Sequence, residues 1–133
     1  AWHHEVGGMF VADGFEVHPH DVMQLLEAWG IEDFPAQFTE GLFTPLSETD
    51  TELSFSSRKK ILLLRAMLGS KRLLLLEDPI DGMNEDFAEK FMQYIHQIKK
   101  HTTVVIVSQN RSLTKQADCV LTLNQGTVMI EDV

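Results

Sequence analysis

A chain of 133 residues with ordinary aliphatic content suits one domain with a real core, and 20 acidic against 11 basic side chains give a formal net charge of −9. That balance disfavours nucleic acid and anionic lipid as partners, and apolar runs of about four residues fall far short of the roughly 20 needed to cross a bilayer. The lone Cys119 excludes an intrachain disulfide and suits a reducing cytosolic setting.

No secretory leader is visible, and the start at Ala1 without an initiator methionine suggests a piece cut from a longer polypeptide. Gly7-Gly8, the apolar Met9 to Ala12 and then Asp13-Gly14 read as a short strand and a loop. Asp21 is placed to cap a helix over Val22 to Trp29, with Gly30 just past its end. Phe34, Phe38, Leu42 and Phe43, punctuated by Pro35 and Pro45, read as a short helix and turns, and Ser47 to Glu52 as an acidic loop. From about Ser54 to Leu68 a helix ending at Gly69 is expected, with Arg58-Lys59-Lys60 as a solvated face.

Leu73 to Asn84, read LLLLEDPIDGMN, organises the rest. An uninterrupted apolar run is the pattern of a strand buried on both faces, and Glu77 and Asp78 stand at its C-terminal end, where open α/β sheets place ligand chemistry. Asn84 can cap a helix whose first turn is acidic, whose last carries Lys99 and Lys100, and whose apolar stripe is Phe87, Phe91, Ile95 and Ile98. That stripe, with Met92, is core packing rather than a cofactor box. Thr103 to Val107 is a second continuously apolar strand, followed by Ser108-Gln109-Asn110 and a short helix around Ser112 to Gln116. Cys119 to Leu123 and Thr127 to Ile130 flank Asn124-Gln125-Gly126, a hairpin signal with Gly126 left-handed. The order argues for an α/β fold with parallel pairing in its centre.

These residues resemble the C-terminal part of an ABC transporter nucleotide-binding domain of exporter type, from about Val6 to the end. Leu73 to Asp78 is similar to the Walker B strand and Asp81 to Asn84 to the D-loop. Leu46 to Glu48 and Leu53 to Ile61 resemble the lead-in and signature stretch, and Arg65 to Leu68 continues its helix. Val104 to Asn110 falls where the H-loop belongs, Gln116 to Gly126 resembles the closing segment, and Val6 to Val11 resembles the strand entering the Q-loop. The resemblance implies a three-layer, P-loop NTPase-like fold with a partly parallel sheet, here lacking the phosphate-loop strand and the N-terminal β-subdomain. Residues 20–70 would form the helical and signature region, and residues 71–133 would run from Walker B to the closing strands.

Departures from the family pattern fall on the residues that do chemistry. No G-x-x-x-x-G-K-[ST] phosphate loop occurs in the chain. Glu77 stands where the family holds magnesium with aspartate, and Asp78 where it has its catalytic glutamate. A carboxylate displaced by about 1 Å costs on the order of 100-fold in rate. Phe55 and Ser56 replace signature glycines, while Ser54 and Ser57 keep hydroxyls. A phenylalanine would obstruct the close backbone approach that glycine permits. Gln109 replaces the H-loop histidine and can hydrogen-bond a phosphate but not carry an imidazolium charge. Val11 takes the Q-loop glutamine's place.

The resemblance therefore implies catalytic positions at Asp78 and Gln109, nucleotide contacts from Ser54, Phe55, Ser56, Ser57 and Asp81, and a metal ligand in Glu77. ATP and Mg2+ would be the parent protein's cofactors, with hydrolysis weak or absent and this chain alone inactive. Its partners would be a second ABC cassette, like or unlike, and the transmembrane domains of an exporter, at the inner, cytoplasmic face of a membrane. The alternative is a non-catalytic cassette-fold module, a scaffold or regulator that no longer binds nucleotide. By themselves Glu77 and Asp78 read as a solvated strand end, and Ser54 to Ser57 as a capped helix start. The order of the surrounding motifs makes them a candidate site. His18, His20, His3 and His4 have neither a nearby cysteine nor tetrahedral spacing, which argues against zinc. Without the phosphate-loop strand, Val104 to Val107 would lose a neighbour. Either Cys119 to Leu123 closes directly against it, or that edge self-associates.

Overall fold

The computed structural model describes residues 18–38, 41, 53–69 and 71–132. The expected strand over Val6 to Val11, and with it Val11 at the Q-loop position, lies outside the described residues. In chain order the elements are helix α1 (Pro19–Ala28), a 3-10 turn (Phe34–Gln37), α2 (Phe55–Met67), β1 (Leu73–Glu77), α3 (Glu85–Ile98), β2 (Thr103–Val107), α4 (Arg111–Thr114), β3 (Cys119–Asn124) and β4 (Thr127–Asp132).

Local chemistry sets most of these boundaries. Ser54 accepts a hydrogen bond from the N–H of Ser57 and starts α2; extended backbone at Leu68 (ψ 138) ends it, with Gly69 left-handed just beyond at φ 85. Asn84 Oδ1 accepts from Phe87 N–H at 2.8 Å and starts α3. At α1 the expected cap moves. Pro19 occupies the first turn, His18 is the N-cap residue without a side-chain bond, and Asp21 lies inside the helix. Proline's fixed φ and missing N–H suit the first helical position, so the helix begins earlier than Asp21 suggests.

α3 supplies the core. Phe87, Phe91, Met92 and Ile95 are buried along one face, and Trp29, from the end of α1, meets the rings of Phe87, Phe91 and Tyr94 edge-on at 5.2–6.0 Å. Trp29 Nε1 is buried and has no acceptor among the described residues. Leu26, Phe34, Ile61 and Leu64 complete this cluster from α1, the 3-10 turn and α2.

β1 and β2 pair in parallel with Leu73 opposite Thr103 and Glu77 opposite Val107, joined through α3. β3 and β4 form a separate antiparallel hairpin. Its two-residue turn has positive φ at both Gln125 (47) and Gly126 (77), the handedness that matches strand twist. The whole is a mixed α/β structure with one small parallel and one small antiparallel sheet.

Two expectations are corrected. β1 is buried on one face only: Leu74 and Leu76 are inside while Leu73 and Leu75 are exposed, and Val105 and Val107 of β2 are exposed as well. The run lacks polar residues, yet the described helices cover just one side of it. Second, Cys119–Asn124 does not close against Thr103–Val107. The two strands lie in different sheets, so no direct rearrangement of strand order is found among the described residues. The start of the hairpin is tied instead to α3, where Lys99 Nζ donates to Asp118 at 2.9 Å.

Candidate functional site

The parallel pair ends with Glu77 and Val107 side by side, so the segments leaving both strands emerge at one end of the sheet. Asp78 N–H donates to Val107 O at 2.9 Å, which carries the ladder one residue beyond β1. On the β2 side Ser108, Gln109 and Asn110 follow. Ser108 Oγ accepts from Asn110 N–H at 3.1 Å, and Asn110 in turn caps α4. These two bonds hold the backbone on either side of Gln109, whose side chain is exposed. Glu77 is exposed and Asp78 half-buried.

Asp78 has φ +42. Left-handed backbone is costly for most residues and best tolerated by Gly, Asn and Asp, and Pro79 next in sequence disfavours the right-handed helical alternative. An aspartate rather than a glutamate at this position is therefore what the local backbone favours. The chain then turns tightly, with Asp81 N–H donating to Asp78 O at 3.3 Å and Met83 N–H to Ile80 O at 3.1 Å.

The N-terminus of α2 rests on this turn. A Cβ on Gly82 would lie 3.0 Å from a ring carbon of Phe55, and Gly82 has φ 72, so a side chain there would be strained and would press on the ring. Lys59 Nζ donates to Asp81 O at 3.0 Å and lies 5.2 Å from the centre of the Phe55 ring. The Ser54 hydroxyl donates to Ser57 Oγ at 2.9 Å and accepts from Ser57 N–H at 3.1 Å. Ser54, Phe55, Ser57 and Asp81 are thereby brought into one neighbourhood. Glu77, Asp78 and Gln109 stand at the strand ends, joined to it through the turn at residues 78–82.

The Phe55 ring lies over the turn and remains largely exposed. Lys59 was missed by sequence reasoning, because Arg58-Lys59-Lys60 looks like an ordinary solvated run. In the fold Lys59 joins α2 to the turn, and the Lys60 ammonium lies 5.5 and 5.8 Å from the ring centres of Phe34 and Phe87. The positions of these acceptors were not legible in the sequence.

As a holder of ATP and Mg2+ this end of the chain fits in part. Glu77 and Asp78 supply the oxygen donors that magnesium prefers, but no group of three or more His, Cys, Asp or Glu side chains converges among the described residues. The sequence lacks the glycine-rich loop and lysine that grip phosphates.

No protein-family model matches the chain. It is 27% identical over 109 residues to an ATP-dependent lipid A-core flippase of Albidiferax ferrireducens, a match covering 82% of this chain and 19% of the flippase. It is 26% identical over 100 residues to the alpha-hemolysin translocation ATP-binding protein HlyB of Escherichia coli, covering 75% of this chain and 14% of that protein. Among solved structures, a bacterial Atm1-family ABC exporter with ATP bound superposes with a TM-score of 0.74 at 20% identity, covering 88% of this chain and 20% of the exporter chain. The relatives of this chain are ABC exporter ATP-binding/permease proteins, and the chain spans about a fifth of their length.

Proposed function

We propose that this chain is the C-terminal portion of an ABC exporter ATPase domain that contributes to ATP binding with weak or no hydrolysis. One observation carries the reading. Glu77, Asp78 and Gln109 stand at one end of the parallel pair, and the capped start of α2 is fastened to the turn that follows through Phe55, Gly82 and Lys59. The separation of β2 from β3 supports it too, because the P-loop NTPase-like fold places the phosphate-loop strand between them.

Each residue has a bounded role here. Glu77 offers a carboxylate to the magnesium that accompanies ATP. Asp78 orients a water or receives its proton, from left-handed backbone at φ 42. Gln109 donates or accepts a hydrogen bond at phosphate without adding charge. Ser54 and Ser57 present hydroxyls at the N-terminus of a 13-residue helix, where the dipole favours an anion. The phosphate grip itself must come from residues outside this chain. ATP and magnesium together supply the transferable phosphoryl group and the charge neutralisation. The partners are a second cassette, like or unlike, and exporter transmembrane domains at the cytoplasmic side of a membrane. No helix among the described residues is long and apolar enough to cross one.

The test is titration of Mg-ATP into the full-length protein carrying this chain, wild type and Asp78→Ala, following binding and phosphate release. Binding with little release supports the proposal. Absence of binding at millimolar ATP favours the non-catalytic scaffold, and release that depends on Asp78 shows that the site has kept its hydrolytic power.

A further inference from the structure

The opposite end of β1 carries a second feature, about 13 Å of strand away from Glu77. There the end of α2, the entry to β1 and the end of α3 enclose a cleft of about 220 Å³. Its floor is apolar: Met67 and Leu74 are buried, and Tyr94 and Ile98 form a half-buried wall. Its rim carries the cations Lys71 and Arg72 and the His101 imidazole, all exposed.

Sequence explains why the rim has one sign. Residues 53–76 and 90–117 contain no Asp or Glu, and together they hold all 11 of the chain's Lys and Arg residues. Every residue lining the cleft comes from these two stretches. A chain of net charge −9 thus has one concave surface that no carboxylate lines among the described residues. The nearest acid in sequence after α3, Asp118, is engaged by Lys99 outside the cleft. Such segregation raises the local concentration of anions against the repulsion of the whole molecule.

We propose that this cleft binds a small organic anion with an apolar body, such as an aryl or short alkyl phosphate or carboxylate. The apolar portion sits on Met67, Leu74 and Ile98 against the Tyr94 ring. The anionic group meets Arg72, whose planar fork matches a phosphate or carboxylate, with Lys71 and His101 beside it. The cleft is smaller than the roughly 300–1,000 Å³ of drug-sized ligand sites, which restricts the occupant to a single ring or a short chain. Exposed, screened rim charges make the affinity modest.

The experiment is isothermal titration of phenyl phosphate, inorganic phosphate and benzyl alcohol into the full-length protein, with excess non-hydrolysable ATP analogue present to occupy any nucleotide site. Phenyl phosphate is expected to bind at least about tenfold more tightly than inorganic phosphate or benzyl alcohol, and Arg72→Gln to weaken it by about tenfold or more. Lys71→Gln serves as a second variant, and unchanged thermal melting shows that either protein is folded. Three results overturn the proposal: no heat of binding at millimolar phenyl phosphate, equal affinity for inorganic phosphate, or binding untouched by both substitutions. Loss of phenyl phosphate binding on adding the ATP analogue also overturns it, since the probe was then in the nucleotide site. Failure here leaves the nucleotide reading standing, because the Mg-ATP titration concerns the other end of the strand.

Discussion

The two faces of one five-residue strand differ sharply in burial. Leu74 and Leu76 are 5% and 6% exposed, while Leu73 and Leu75, the same residue type one position away, are 55% and 68% exposed. The inner face meets the aromatic core carried by α3. The outer face, with Val105 and Val107 beside it, has no cover among the described residues, and Leu121, Leu123 and Ile130 of the hairpin are likewise exposed. Hydrophobicity sets what a residue gains on burial; whether it is buried depends on what else is present to cover it. This uncovered apolar surface lies on a chain that spans about a fifth of the length of its relatives.

The largest expected effect lies on the covered side. Phe91→Ala removes a fully buried ring from contact with Trp29 and Phe87 and should cost roughly 3–5 kcal/mol, read from the denaturant midpoint. A paired substitution then sharpens the comparison directly. In the 133-residue chain Leu76→Ala should cost about 2–4 kcal/mol and Leu75→Ala less than about 1 kcal/mol. In the full-length protein the two costs should converge, and if Leu75→Ala stays near neutral there, the outer face is bare in the native assembly as well.

Smaller effects mark the strand's two ends. Asp78→Glu, which restores the family's residue type, should destabilise by roughly 0.5–1 kcal/mol because glutamate tolerates φ +42 less well than aspartate, whereas Asp78→Gly should not. At the other end, burial raises the Tyr94 phenol above its ordinary value. The neutral phenol is thus favoured by folding. This contribution is complete below the unfolded value and is lost as pH climbs through it towards the raised folded value. Unfolding monitored by denaturant should become easier in that alkaline window, and Tyr94→Phe should flatten the dependence.

Much of this was legible in the sequence, for reasons that differ by element. Asn84 and Ser54 announced their helices because a cap acts within three residues, and the Phe87, Phe91 and Ile95 stripe did so because helical period is local. The hairpin was legible in Asn124-Gln125-Gly126 for the same reason. Glu77, Asp78 and Gln109 were placed at strand ends correctly, since strand limits follow from apolar runs. Their approach to α2 was not: Lys59 reaches the Asp81 carbonyl across 22 positions, and Phe55 lies on Gly82 across 27, the difference of their numbers. No pattern in a window of residues carries that information.

The sequence by itself determined where α2 and α3 begin, which face of α3 is apolar, and that the phosphate-gripping loop is missing from these residues, but not where α1 starts. It also segregated every cation into two acid-free stretches. Only the tertiary structure decided that those stretches meet around one cleft, that Asp78 sits in left-handed backbone, and that a strand of four leucines is buried on one side. The reason is physical: capping and periodicity are interactions between near neighbours, whereas burial and convergence depend on segments far apart in the chain folding against one another.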